Sequence, residues 1–81
     1  MMNIIIFKTS VQDYEDLVCV EPALNSFLGE RNWSFDLEDE DKILRVVSPE
    51  LCTVAVEQLL IEYGFLCIEL PYSLDEFNPK I

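Results

Sequence analysis

The chain has 81 residues, of which 51% are apolar and 26% are charged, and its formal net charge is -11. This length supports one domain, and the composition is typical of a globular protein rather than a disordered one. Sixteen acidic side chains against five basic ones repel phosphate backbones and anionic lipid headgroups. We therefore expect neither nucleic acid nor a membrane among its partners, and the sequence predicts a cytoplasmic protein.

Cysteine and histidine usage limits the chemistry further. The three cysteines, Cys19, Cys52 and Cys67, include no close pair, so their spacing fits neither a disulfide framework nor a zinc site. We expect them to be small buried apolar side chains. The chain has no histidine, which removes the usual general base and the commonest transition-metal ligand. The sequence therefore predicts that the protein is not an enzyme.

The first half of the chain predicts a strand and then a helix. Residues 3–9 are rich in isoleucine without helical spacing, which is typical of a central strand. A helical apolar stripe follows and ends before Gly29, a residue suited to a left-handed C-cap. The stripe consists of Leu17, Val20, Leu24, Phe27 and Leu28. Pro22 lies within it and predicts a kink rather than a break.

The second half predicts a hairpin, a helix and a last strand. Apolar residues alternate over 33–37, the charged residues 38–41 form a turn, and residues 42–47 resume a strand pattern. Ser48 followed by Pro49 indicates a helix start, so we expect the second helix from Pro49 to about Tyr63. Residues 65–70 form the final strand before a proline that cannot continue a ladder.

This order of elements predicts the fold class. A βαββαβ chain with right-handed crossovers folds into an α+β ferredoxin-like two-layer sandwich. Its four-stranded antiparallel sheet carries both helices on one face. We assign residues 1–70 to this domain and residues 71–81 to a C-terminal tail.

Three segments, residues 7–25, 33–47 and 61–65, resemble the heavy-metal-associated domains, the copper-chaperone-like family, and the likeness covers residues 3–70. In that family the loop after the first strand carries a CxxC motif that binds Cu(I) and passes it to a partner domain. The register of the resemblance places Asp13 and Asp16 on the two cysteine positions. The resemblance therefore implies a degenerate member that lacks both thiols.

Two roles for this aspartate pair stay open. Carboxylate oxygens suit hard divalent ions rather than Cu(I), and Cys19, one turn further along, could complete such a metal site. Alternatively, Asp13 caps the first helix and Asp16 completes a reciprocal capping box at the third position. Apart from a divalent metal ion at this site, the sequence predicts no cofactor.

Strand alternation predicts a second functional surface, on the side of the sheet that faces away from the helices. Ile5, Phe7, Leu44 and Val46 should face the helices. The opposite, open side should carry Ile4, Ile6, Ile43 and Val47, extended by Ile68. An uncovered apolar patch usually marks a contact surface. It could be covered by a protein partner, by a second copy, or by the tail, whose apolar side chains include Tyr72, Leu74 and Phe77.

The sequence therefore predicts a heavy-metal-associated-like domain that acts as a protein-binding or oligomeric module. The alternative is a metal-ion-binding or transport domain that uses Asp13, Asp16 and Cys19.

Overall fold

The computed structural model describes residues 2–70, which form six elements in the predicted βαββαβ order. Residues 71–81, including Tyr72, Leu74 and Phe77, lie outside the described residues, and so does Met1. The elements are β1 (Asn3–Thr9), α1 (Tyr14–Leu28), β2 (Trp33–Asp36), β3 (Ile43–Ser48), α2 (Thr53–Glu62) and β4 (Cys67–Glu69). Neither helix of the described region is long and apolar enough to cross a membrane.

The four strands form one antiparallel sheet in the order β2-β3-β1-β4. The two longest strands, β1 and β3, lie in the middle, and Phe7 of β1 pairs with Leu44 of β3 on one side and with Glu69 of β4 on the other. Each helix connects two parallel strands with a third strand between them. This is the predicted ferredoxin-like α+β sandwich.

The hydrophobic core lies between one face of the sheet and the two helices. Period-2 alternation directs Ile5 and Phe7 of β1 into this layer, where they meet side chains from both helices. The helical contributions come from Val20 and Leu24 of α1 and from Val56 and Leu60 of α2. Burial of each such side chain contributes roughly 1.5–3 kcal/mol. One apolar face of the sheet is therefore covered by the helices, as predicted.

Helix α1 follows the sequence pattern closely. It begins after Asp13, whose backbone is extended, and it ends at Leu28, just before Gly29, whose φ of 95° is a positive value that favours glycine. The helix runs through Pro22 without a break over 15 residues. Proline has no N–H to donate, so one internal hydrogen bond is missing, but packing of Val20 and Leu24 holds both halves.

Helix α2 begins at Thr53, so the predicted start at Pro49 is wrong. Ser48 is the last residue of β3, where it pairs with Asn3, and its hydroxyl accepts the Glu50 N–H at 3.1 Å in a local turn. The chain turns from the sheet layer to the helix layer before helical geometry begins. Cys52 precedes the helix and offers no side-chain cap.

The last strand is shorter than predicted, because it spans Cys67–Glu69 rather than residues 65–70. Leu66 precedes the strand: its carbonyl accepts the Ser10 N–H, and its own N–H donates to the Ser10 hydroxyl. Leu70 still donates its N–H to the Ile6 carbonyl at 2.8 Å.

Candidate functional site

The first candidate site is the loop between β1 and α1, and hydrogen bonds from two directions anchor it. The Thr9 hydroxyl donates to the Lys42 carbonyl at 2.7 Å and accepts the Val11 N–H at 3.2 Å. On the other side, Ser10 donates its N–H to the Leu66 carbonyl, and its hydroxyl accepts the Leu66 N–H at 2.8 Å. Val11 is fully buried below. The loop is therefore fixed between the hairpin and the start of β4.

Asp13 and Asp16 both bind backbone amides at the start of α1. The Oδ1 atom of Asp13 accepts the Asp16 N–H at 3.0 Å, which makes Asp13 the N-cap. The Oδ2 atom of Asp16 accepts the Gln12 N–H, also at 3.0 Å, one residue before the cap. Their negative charges also favour the positive end of the helix dipole. Each carboxylate thus has a structural role in starting the helix.

Cys19 lies one turn beyond this pair and is exposed. Its Sγ atom donates to the Glu15 carbonyl at 3.5 Å, a contact within the helix. Nowhere in residues 2–70 do three or more cysteine, aspartate or glutamate side chains form a group that could hold a metal ion. The prediction that all three cysteines are buried is wrong for Cys19, because the neighbouring Val20 takes the buried face of α1. Cys52 is only half-buried.

Cys67 has the environment that was predicted for a buried cysteine. It belongs to the core cluster between the sheet and the helices. Burial, which would strip the thiolate of its hydration, and to a smaller extent the negative charge of Glu57 together raise the pKa of the Cys67 thiol from 9.0 to about 12. A thiol that stays protonated at neutral pH is neither a nucleophile nor a ready metal ligand.

The second candidate site is the face of the sheet opposite the helices, which we call the open face. Its side chains come from alternate positions of all four strands. They are Ile4, Ile6 and Lys8 of β1, Ser34 and Asp36 of β2, Ile43, Arg45 and Val47 of β3, and Ile68 of β4. Every residue that the sequence predicted for this surface therefore lies on it.

Exposure divides the apolar side chains of the open face into two groups. Ile4 and Ile68 are 46% and 59% exposed, whereas Val47 is half-buried. Ile6 and Ile43, at the middle of the face, are only 2% and 5% exposed. The accessible apolar surface is therefore at the flanks, and the predicted central part of the surface is buried.

Two basic residues of the open face were missed by sequence reasoning. Lys8 lies between Ile68 and Ile43 in the sheet, and Arg45 lies opposite Ile6. The same alternation that placed the isoleucines places these cations, so the signal was available. A depression of about 210 Å³ is lined by Ser34, Asp36 and Arg45 among others. A second, of about 220 Å³, is lined by Lys8, Leu66 and Ile68 among others.

The geometry thus defines a ferredoxin-like α+β domain with a rigid helix-start loop and a mixed apolar and basic sheet face. Comparison of the chain with known protein families, curated proteins and solved structures found no match.

Proposed function

We propose that this chain is a heavy-metal-associated-like domain without the family's thiol pair, and that it acts as a protein-binding or oligomeric module. The observation that carries the proposal is the open face, where Ile4 and Ile68 expose about half of their side chains. An apolar surface of this kind is favourably removed from water by contact with another protein. The flanking Lys8 and Arg45 would give such a contact charge specificity.

The outer edge of β4 is less suited to partner binding than the open face. The Glu69 N–H points away from β1, because Ile68 and Leu70 face that strand in the ladder. A carboxylate oxygen of Glu57 in α2 accepts this N–H at 3.0 Å. A bonded edge amide cannot pair with an incoming strand. The exposed face of the sheet is therefore the favoured contact surface.

The sequence resemblance supports the same proposal. Domains of the heavy-metal-associated family pass their ion to a partner domain, so protein contact is already part of their function. Loss of the thiol pair would remove the ion while leaving the contact between domains.

The metal-binding alternative has less support from the geometry. Asp13 and Asp16 each have an oxygen bonded to a backbone amide, and the Cys19 thiol donates within its own helix. A divalent ion would have to compete with these contacts or use the remaining carboxylate oxygens. We therefore assign the pair to helix capping.

Self-association is the direct test of the proposed contact surface. We expect the mass from size exclusion with light scattering to rise above the monomer value of 9.4 kDa as the protein concentration increases. Replacement of the exposed Ile68 by lysine should return the mass to that of a monomer, because it places a charge in the apolar contact.

Val54→Lys is the matched control, since Val54 is 69% exposed on α2 and the substitution changes the net charge equally. This variant should associate like the wild type. A mass that stays at the monomer value throughout, or an equal loss in both variants, would contradict association through the open face.

A further inference from the structure

We propose that the outer edge of β2 binds an extended segment of another protein, one that carries lysine or arginine, as a fifth strand of the sheet. This inference goes beyond the proposed function, because it concerns an edge of the sheet rather than the open face and does not require self-association. Three observations support it: the direction of the β2 backbone groups, the contrast with the other sheet edge, and the charge around β2.

The direction of the backbone groups is the first observation. β2 lies at one edge of the sheet, next to β3, and the Val47 N–H of β3 donates to the Asn32 carbonyl at 2.8 Å. Hydrogen-bonded pairs alternate along an antiparallel ladder, so the even-numbered residues of β2 face β3. Trp33 and Phe35 therefore direct their N–H and C=O groups outward. Within residues 2–70 neither of these two N–H groups has an acceptor.

The contrast between the two sheet edges is the second observation. At β4 a Glu57 carboxylate occupies the outward N–H of Glu69. At β2 the contact with a helix is made by a side chain instead, because the Trp33 Nε1–H donates to Asn25 Oδ1 at 2.8 Å. This bond holds the strand against α1 and leaves its backbone open. An added strand can therefore form up to four hydrogen bonds, two with each outward residue.

The charge around β2 is the third observation. Residues 30–45, which include β2 and the segments on both sides of it, carry six acidic side chains and three basic ones. Asp36, at the end of the strand, is exposed and lines the depression of about 210 Å³ beside it. A cationic segment is attracted to this edge and an anionic one is repelled.

Alternation defines the side chains that the added strand needs. In an antiparallel arrangement, the residues opposite Trp33 and Phe35 point to the helix side, next to two half-buried rings. Apolar β-branched side chains suit these positions. The residue opposite Asp36 points to the open face, where a lysine or arginine meets the carboxylate. The partner segment therefore has basic residues followed by alternating apolar and polar ones.

A second copy of the chain is a poorer occupant of this edge. Antiparallel pairing of two β2 strands that uses all the outward groups sets Trp33 of one copy opposite Phe35 of the other. This register also sets Glu38 opposite Glu30. Like charges directly opposite are destabilising, and two copies with a net charge of -11 already repel each other.

A short peptide tests the edge directly. Trp33 is the only tryptophan of the chain, so its fluorescence reports on β2 without a label. We expect acetyl-Lys-Lys-Val-Thr-Val-Thr-amide to change this emission with a Kd below about 1 mM, and to shift the amide resonances of Trp33 and Phe35. The same peptide with glutamate in place of lysine should not bind. Absence of any change with the lysine peptide would overturn the inference.

Methylation of single peptide amides is the matched control for the backbone contact. The two valine N–H groups face β2 in the proposed arrangement, whereas the N–H of the threonine between them faces away. N-methylation of the first valine should weaken binding about tenfold or more, because a donor is lost and a methyl group separates the strands. N-methylation of that threonine gives the same mass and charge and should have little effect. Equal effects would contradict strand addition.

Two protein variants test the charge. Asp36→Asn and Glu69→Gln each remove one negative charge from an exposed residue of an edge strand. Asparagine can still accept the Glu38 N–H that Asp36 accepts. Asp36→Asn should weaken binding of the lysine peptide about threefold at low ionic strength, and Glu69→Gln should weaken it less. Equal weakening would mean that net charge alone attracts the peptide, which would overturn the site at β2.

Ile68→Lys separates this inference from the proposed function. Ile68 lies on β4, at the opposite edge of the sheet, so the variant should bind the peptide like the wild type. If the wild type stays monomeric but binds the peptide at β2, association through the open face fails and the inference stands. If the wild type associates through Ile68 but does not bind the peptide, the inference fails and the function stands. Shifts of the Trp33 and Phe35 amides with protein concentration alone would assign the edge to a second copy and overturn the inference.

Discussion

At the residue scale, Asp13 determines where the first helix begins. Its carboxylate accepts the Asp16 N–H at 3.0 Å, so truncation leaves that amide without its partner. We expect Asp13→Ala to lower the free energy of unfolding by about 1 kcal/mol, as is usual for loss of an N-cap. Asp13→Asn should cost only a few tenths of that, because the asparagine side chain caps equally well. Urea unfolding of the three proteins measures both values.

The same pair of variants checks the metal-binding alternative. Calorimetric titration of the wild type with Zn²⁺ and Mn²⁺ should give no binding in the micromolar range. A capping role needs only an acceptor, whereas a ligand to a hard ion needs the negative charge. Micromolar binding that is lost in Asp13→Asn would contradict the assignment of Asp13 to capping alone.

The buried Cys67 thiol makes the free energy of unfolding depend on pH in the alkaline range. Burial raises the pKa of its thiol in the folded protein to about 12, against 9.0 for an ordinary thiol. The unfolded chain therefore releases this proton first, so the contribution of Cys67 is fully present below pH 9 and is lost between pH 9 and 12. The slope from this group is at most about 1.4 kcal/mol per pH unit.

Urea unfolding at several values across this range gives that slope. Tyrosines and lysines also titrate there, so the informative quantity is the difference from Cys67→Ala, which lacks the thiol. The variant should lose less stability per pH unit than the wild type. Equal slopes would show that the Cys67 thiol does not couple to unfolding.

At the scale of elements, the parts that depend on local patterns were predictable. The β1 bounds agree with the isoleucine-rich run, and α1 ends at Leu28, before Gly29, as its apolar stripe indicated. Helix α2 was placed four residues too early, because a serine followed by proline is also compatible with a turn. The competing interaction is the pairing of Ser48 with Asn3, which lies in a distant part of the sequence.

In the candidate sites, too, contacts between residues close in sequence were predictable, whereas contacts between distant residues were not. The aspartate spacing predicted the cap on α1, a contact over three residues. The bonds that fix the loop join Thr9 to Lys42 and Ser10 to Leu66, and no local pattern reveals them. Alternation predicted which side chains lie on the open face. Alternation does not predict how much of each side chain is exposed, so the low exposure of Ile6 was not predictable from the sequence.

At the scale of the whole molecule, charge opposes both compactness and association. Sixteen acidic side chains face only five basic ones. In residues 2–70 one ion pair is found, between Lys8 and Asp41 at 3.6 Å, and both partners are about half exposed. Such a pair contributes little in water. Repulsion among the carboxylates is therefore the dominant long-range electrostatic effect.

Salt should consequently stabilise this domain. Raising the ionic strength from about 0.01 to about 0.15 M shortens the Debye length from roughly 30 to roughly 8 Å, which screens carboxylates from one another across the molecule. We expect the free energy of unfolding to increase over this range, and we expect self-association to tighten because the repulsion between copies falls. Urea unfolding and light scattering in two concentrations of NaCl measure the two effects. Lower stability at the higher concentration would mean that attractive pairs outweigh the net charge of -11. Weaker association would instead mean that contacts between charges of opposite sign, such as those available to Lys8 and Arg45, dominate the interface over its isoleucines.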